Sequence, residues 1–280
     1  MKILLFGSKG QIGRELVELA ANKNISTFNF DIDSVDITDA IQVARAFAID
    51  NAIDVVINAA AYTAVENAEA EPTKAFAVNA DGVKILSLEC QKHHIPLLHI
   101  STDYVFSGEK NAPYTEDDLA MPLGVYGKSK LKGETLLRTT WEQHIILRVS
   151  WVFGKYGKNF VKTMLQLAQK KQPINVVNDQ FGCPTAAADV ARVLLELAEK
   201  IVNGKRLWGI YHYSGKPAVS WYQFATKIID QKINATTTKE FPTIAPRPKN
   251  SELAVEKITK TFGIVRHGWE EYLQRVIAEI

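Results

Sequence analysis

Residues 2–13 read KILLFGSKGQIG, an apolar run that ends in glycines at positions 7, 10 and 13. A short apolar run closed by glycine predicts a strand, and the spacing from Gln11 onward predicts a helix. Small residues at a strand-to-helix turn meet three needs: a tight turn, close approach of a pyrophosphate, and close helix–strand packing. Gly7, Gly10 and Gly13 are placed for these, with Gln11 and Ile12 opening the helix whose free N–H groups and dipole attract phosphate. Asp31 closes the next apolar run, STFNFD, 18 residues beyond Gly13. A carboxylate there can accept from an adenosine ribose hydroxyl. A plain glycine-bearing turn is the competing reading, but the preceding strand and the later acid favour a dinucleotide site.

Working outward, ILLFG, STFNFD, DVVINAA, PLLHIS and IILRVS alternate with helical patterns. Those patterns run from Gln11, around Ala40 to Ile49, in one long stretch to His93, and from Val125. Such alternation predicts an α/β fold, a Rossmann-like doubly wound parallel sheet with helices on both faces. Residues 1–150, with 174–185, are read as the dinucleotide-binding domain. After Ser150 the rhythm loosens, and residues 151–173 and 186–280 are read as a smaller C-terminal α/β substrate lobe. Its elements are a helix NFVKTMLQLAQKK, helices near TAAADVARVLLELAEKI and Trp221, a strand GIYHY and two closing helices. The long polar loop from Ser107 to Leu123 is expected to border the substrate mouth.

Composition removes other classes. Basic and acidic side chains number 33 and 31, a net charge of +2, with no basic stripe for nucleic acid. The apolar share is 46% and the charged share 23%, as in ordinary globular proteins. No apolar stretch approaches the roughly 18 residues of a membrane span, and the N-terminal run is too short for a signal-peptide core. Cys90 and Cys183 lack metal-ligand spacing and read as free thiols in a reducing cytoplasm.

Residues 125–134, VYGKSKLKGE, place Tyr126 one helical turn ahead of Lys130. Alone the pair could coat a surface. It follows the strand that ends in HISTDYVF, and ligands of such sheets collect at the carboxyl ends of the strands. A free tyrosine has a pKa of about 10, and an ammonium one turn away is expected to lower it. Tyr126 could then give a proton to an oxygen gaining negative charge, with Thr102 donating a hydrogen bond to the same oxygen. Reduction of a ketone by hydride needs this pair of groups.

Gly7-x-x-Gly10-x-x-Gly13, NAAAYTAV, STDYVF, Tyr126-x-x-x-Lys130, RVSWVFG and RPKNS recur in this order in the extended short-chain dehydrogenase/reductases. Over its whole length the chain resembles, among them, the dTDP-4-dehydrorhamnose reductases. These reduce the 4-keto group of a dTDP-6-deoxy-sugar with NADPH or NADH, the last step of dTDP-rhamnose synthesis. The resemblance implies Tyr126 as proton donor and Thr102 and Asp103 in contact with the sugar. Lys130 would hold the nicotinamide ribose, and Trp151 would pack on the substrate. Ala61, Tyr62 and Thr63 would line the cofactor, and Asp36 and Ile37 would flank the adenine. Asn159, opening a helix, and Arg247 would receive the diphosphate, although an exposed linker arginine reads equally well.

Two departures stand out. Gly124 occupies a position where the resemblance suggests asparagine, and a looser loop is expected. Some relatives bridge a homodimer through Mg2+; Glu15 suits that role, but a plain first-helix surface residue reads at least as well, its acidic companion is shifted to Asp189 or replaced by Ala188, and no metal is assigned. A non-catalytic binding subunit, resembling the β subunit of methionine adenosyltransferase, and a sugar-nucleotide epimerase remain the rival readings.

Overall fold

In the computed structural model, which describes residues 1–170 and 172–280, Gly7 stands at φ +80°, a region that side chains rarely adopt. A Cβ on Gly7 would lie 2.4 Å from the Ala60 nitrogen, and one on Gly13 would lie 2.0 Å from the Gly7 oxygen. Only bare backbone can make this turn. It passes β1 (Lys2–Phe6) straight into α1 (Gln11–Asn22) while keeping the loop against the end of β3 (Val55–Asn58).

The central sheet adds β2 (Ser26–Phe30), β4 (Leu97–Thr102), β5 (His144–Val149) and β6 (Gly209–Tyr213). All six strands are parallel, in the order β6-β5-β4-β3-β1-β2. The order in which successive strands are added reverses between β1 and β3, and a crevice opens at such a switch point. Both faces are apolar, so alternate side chains of one strand enter different cores. Ile3 and Leu5 meet Leu16 and Ala20 of α1 and Val190 and Leu194 of α6 (Ala187–Val202). Leu4 and Phe6 meet Phe47 of α2 (Ala40–Phe47), Leu86 of α3 (Gly82–His93) and Leu137 of α4 (Val125–Thr140). Each such Ile, Leu, Val or Phe side chain contributes about 1.5–3 kcal/mol on burial.

A third core joins Val161 and Met164 of α5 (Phe160–Gln169), Phe224 of α7 (Trp221–Ile228) and Leu273 of α8 (Trp269–Glu279). The packing divides the chain differently from the expected boundaries. β6 extends the large sheet and α6 covers its face against α1. Ile174–Val177, assigned with the dinucleotide-binding part, instead pairs with Ile233–Thr236 beside the third core. Period and length identify an element but not the partner that buries it.

Two other expectations change. The stretch before His93 is broken: Val65–Ala70, then Pro72–Phe76, then a π turn at Ala77–Asp81 that leads into α3. π turns gather at functional sites; here the buried Asn79 side chain accepts from Tyr62 N (2.9 Å) and donates to Tyr62 O and Ser129 Oγ (3.0 Å each). The loop from Ser107 to Leu123, expected to border the substrate mouth, lines neither of the two cavities at the strand ends and is pinned to the body of the chain. Tyr114 is buried, stacks on Phe106 at 4.3 Å and bridges to Leu253, while Glu116 accepts from His212 N.

Candidate active site

The carboxyl ends of β1, β3, β4 and β5 open onto two adjoining cavities of about 470 and 440 Å3, which share Gly10, Ala59 and Ala61. The second cavity is walled by Gly7, Lys9, Asp31, Asp36, Ile37 and Tyr62. The first is lined by Gln11, Ile12, Thr63, Thr102, Asp103, Tyr126, Lys130 and Trp151. Residues scattered from position 7 to 151 thus meet at one crevice. The glycine cradle and these adjoining spaces fit a dinucleotide laid across the switch point.

Asp31 accepts from Lys9 N (2.8 Å) through one oxygen and from Ile32 N (2.9 Å) through the other. A carboxylate has about four acceptor sites, so capacity remains for a ribose hydroxyl. The Lys9 ammonium, a candidate to offset a 2′-phosphate, is paired with Asp33 in solvent.

Tyr126 keeps part of its surface open to the cavity and meets the edge of Tyr104 with ring centroids 6.0 Å apart. Its phenol differs from the expectation. Burial drives its pKa well above the ordinary value; the Thr102 hydroxyl opposes this, while Asp103 and Tyr104 add to it. Lys130 does not lower it because the ammonium is tied elsewhere: Nζ donates to Ile100 O at 2.7 Å. Burial pulls Lys130 down to about 8, with Glu134 opposing. The phenol is therefore a neutral proton donor across the physiological range.

Behind Lys130 lies a buried ion pair. Glu134 accepts from Arg148 NH2 at 2.6 Å, Arg148 Nε at 2.9 Å and Ser101 Oγ at 2.5 Å. Burial and the adjacent Arg148 push His212 down to about 3, so its neutral ring donates from Nδ1 to Tyr114 O (3.1 Å) and accepts from Arg148 at Nε2 (3.3 Å). This network stiffens the sheet end that carries Thr102.

Trp151 lines the first cavity in a left-handed conformation, φ +46°, which strains a residue with a bulky side chain. Its indole lies 3.5 Å from that of Trp221, with planes 3° apart. Gly182 must be bare, since a Cβ would come 2.4 Å from the Trp151 ring.

Two predicted residues stand apart from the cavity wall. Asn159 caps α5, accepting from Lys162 N and donating to Gly154 O (2.7 Å) and Gln11 Oε1 (2.9 Å). Its neighbours Gly157 and Lys158 line the cavity instead. Arg247 pairs with Glu66 and donates to Tyr104 OH at 3.0 Å, which fixes Tyr104 from behind.

The acidic residues considered for a bridging Mg2+ meet partners within this chain. Glu15 faces Lys155, whose ammonium stands 3.0 Å from both Glu18 and Glu279. Asp189 belongs to a separate network, with Arg192 (2.8 Å), Tyr213 (2.5 Å), Tyr272 (3.0 Å) and His267 (3.0 Å). Among the described residues no cluster of three or more His, Cys, Asp or Glu could hold a metal ion.

Gly124 does not leave a loose end. Glu69 Oε1 accepts from Val125 N at 2.8 Å, capping α4 from another segment, and a Cβ on Gly124 would approach that oxygen to 2.6 Å. Sequence reasoning missed Glu69, Asn79 and Trp221. Only Trp221 had a signal: it follows Ser220, which with Gln223 forms a capping box.

The sheet, its glycine turn and the Thr–Tyr–Lys group define a dinucleotide-binding α/β protein of the short-chain dehydrogenase/reductase type. A dTDP-glucose 4,6-dehydratase from Streptomyces venezuelae shares this fold, with 17% identity and a TM-score of 0.83. The family model described as the RmlD substrate binding domain matches residues 1–280, and the chain belongs to that family. It is 44% identical to a dTDP-4-dehydrorhamnose reductase of Aggregatibacter actinomycetemcomitans, over 99% of this chain and 98% of that one. A crystal structure of a dTDP-4-dehydrorhamnose reductase from Clostridium acetobutylicum is 38% identical, with a TM-score of 0.93 and 99% of each chain covered. A Bacillus anthracis dTDP-4-dehydrorhamnose reductase in complex with NADP is 34% identical, with a TM-score of 0.92 over 100% of this chain and 99% of that one. Among the described residues no helix is long and apolar enough to cross a membrane.

Proposed function

We propose that the chain reduces the 4-keto group of dTDP-4-dehydro-L-rhamnose to give dTDP-L-rhamnose, using NADPH or NADH, in the cytoplasm. The observation that carries this reading is the meeting of Thr102, Tyr126 and Lys130 in a cavity that adjoins the glycine-loop cavity. Full-length relatives that bear this reductase name, one of them in complex with NADP, support it.

When bound, the dinucleotide supplies hydride to the carbonyl carbon. The residues of this chain do the rest. The glycine turn accepts the pyrophosphate, Asp31 the adenosine ribose, and Asp36 and Ile37 the adenine edge. Ala61, Tyr62 and Thr63 form the adjoining wall. Tyr126, held neutral by burial, gives its proton to the substrate oxygen, and Thr102 donates a hydrogen bond to that oxygen as charge develops. Lys130, anchored on Ile100 O, has further N–H groups for the nicotinamide ribose. Asp103 floors the sugar pocket and Trp151 packs on the ring. Gly157 and Lys158 face the diphosphate while Asn159 holds their turn, and Arg247 acts through Tyr104.

The test is the absorbance of the reduced nicotinamide when enzyme meets a 4-keto dTDP sugar. One cofactor oxidised per sugar reduced is expected. No oxidation would favour a binding subunit, and conversion without net consumption would favour an epimerase.

A further inference from the structure

Among the described residues two buried side-chain polar atoms have no hydrogen-bond partner, His99 Nε2 and Asp103 Oδ2. The first belongs to a histidine inside the sheet whose other nitrogen meets Asn58 Nδ2 at 3.1 Å. The second belongs to a carboxyl group that lines the catalytic cavity and is only 2% exposed. Its other oxygen lies 3.1 Å from Thr102 Oγ1, which also accepts from Tyr104 N at 3.2 Å.

A hydroxyl has one proton and two acceptor sites. Tyr104 N takes one acceptor site of Thr102, and Asp103 decides what happens to the rest. If Asp103 is a carboxylate, it takes the only Thr102 proton, and that hydroxyl cannot donate to a substrate. If Asp103 is a neutral acid, it can donate into the second acceptor site and leave the Thr102 proton free. No guanidinium or ammonium pairs with this carboxyl group. Tyr104 and Tyr126 flank it, the Arg247 guanidinium is bonded to Tyr104, and the Lys130 ammonium is tied to Ile100 O. The Ser251 hydroxyl lies close enough to favour the anion, yet it makes no hydrogen bond to Oδ2 and points to Phe181 O at 3.5 Å.

We propose that Asp103 is a positioning residue that works as a neutral carboxylic acid and sets the direction of the Thr102 hydroxyl. The inference rests on the reductase reading and deepens it: the donor facing the substrate oxygen is switched on by a proton one residue away. Burial supports this by raising Asp103 to about 7, while hydroxyl and backbone hydrogen bonds oppose the rise. Below that pH the neutral form dominates and Thr102 is free to donate; above it the carboxylate withdraws the donor. The chemical step should therefore slow as pH rises.

The experiment is single-turnover oxidation of bound NADPH by the 4-keto dTDP sugar, across pH, for the parent and Asp103→Asn. The parent rate is expected to fall about tenfold per pH unit above about 7, toward the roughly 10²-fold loss of one oxyanion donor. The carboxamide donates to Thr102 at every pH, so the ratio of variant to parent rate should rise as pH rises. Lys130, at about 8, titrates in both proteins and cancels in the ratio. A ratio that stays constant with pH, in an active parent, overturns this inference alone. A parent that oxidises no cofactor at any pH overturns the reductase reading and this inference with it. Should Asp103→Asn fail to fold, Thr102→Val decides: the ratio of its residual rate to the parent rate should rise as pH passes about 7, and a ratio that stays constant overturns the proposal.

Discussion

Glu134 and Asp103 are both buried carboxyl groups at the carboxyl end of β4, and their surroundings are opposite. Glu134 is met by two Arg148 nitrogens and the Ser101 hydroxyl. Asp103 has one oxygen bonded to the Thr102 hydroxyl and one bare oxygen. Taking a carboxylate out of water costs several kcal/mol, and only a well-placed cation with further hydrogen bonds offsets that cost. Where the offset is complete, the group is structural and fixes the sheet end. Where it is missing, the carboxyl favours its proton, and a proton that can come and go is a chemical resource. Side by side, the two show how one strand end can be both rigid and reactive.

The comparison can be broken by mutation, and the largest effect is expected on the reactive side. If the proposed role is right, Tyr126→Phe should lower kcat by roughly 10²–10⁴ with thermal stability nearly unchanged, because the phenol would be the proton donor and has few structural bonds. Full activity in this variant would remove the chemical role of the whole cavity wall. On the rigid side, Glu134→Ala should lose about 3–5 kcal/mol of unfolding free energy in denaturant titration, since Arg148 is left buried and unmatched. Adding Arg148→Leu should recover much of that loss; if it does not, hydrogen bonds rather than charge matching hold this region. The smallest effect tests the capping of α4. Glu69→Ala should cost about 0.5–2 kcal/mol, the usual worth of a helix cap, read as a lower denaturation midpoint.

Much of the architecture was legible in the sequence. Glycines at 7, 10 and 13, five short apolar runs and Asp31 sufficed for five of the six strands, the turn and the cofactor side of the crevice. Spacing also brought Tyr126 and Lys130 to one face of α4. What spacing cannot supply is the direction of a side chain's hydrogen bonds. The lysine was expected to acidify the phenol, but its ammonium binds Ile100 O and burial prevails. Asn159 and Arg247 were placed in the neighbourhood of the site, yet each is engaged by protein partners behind the wall. Glu69 and Asn79 carry no local signature, because their work is done on other segments, Val125 for the first and Tyr62 and Ser129 for the second. The division between sheet and lobe failed for the same reason: β6 reads as a strand, but which sheet it joins depends on β5.

The paired indoles of Trp151 and Trp221 have one more consequence. Two aromatic chromophores stacked this closely couple optically, and both border the first cavity. The protein therefore carries its own spectroscopic gauge: a molecule seated there changes ultraviolet emission or dichroism without any attached dye, and Trp221→Phe would remove the part of the dichroism that comes from the coupled pair.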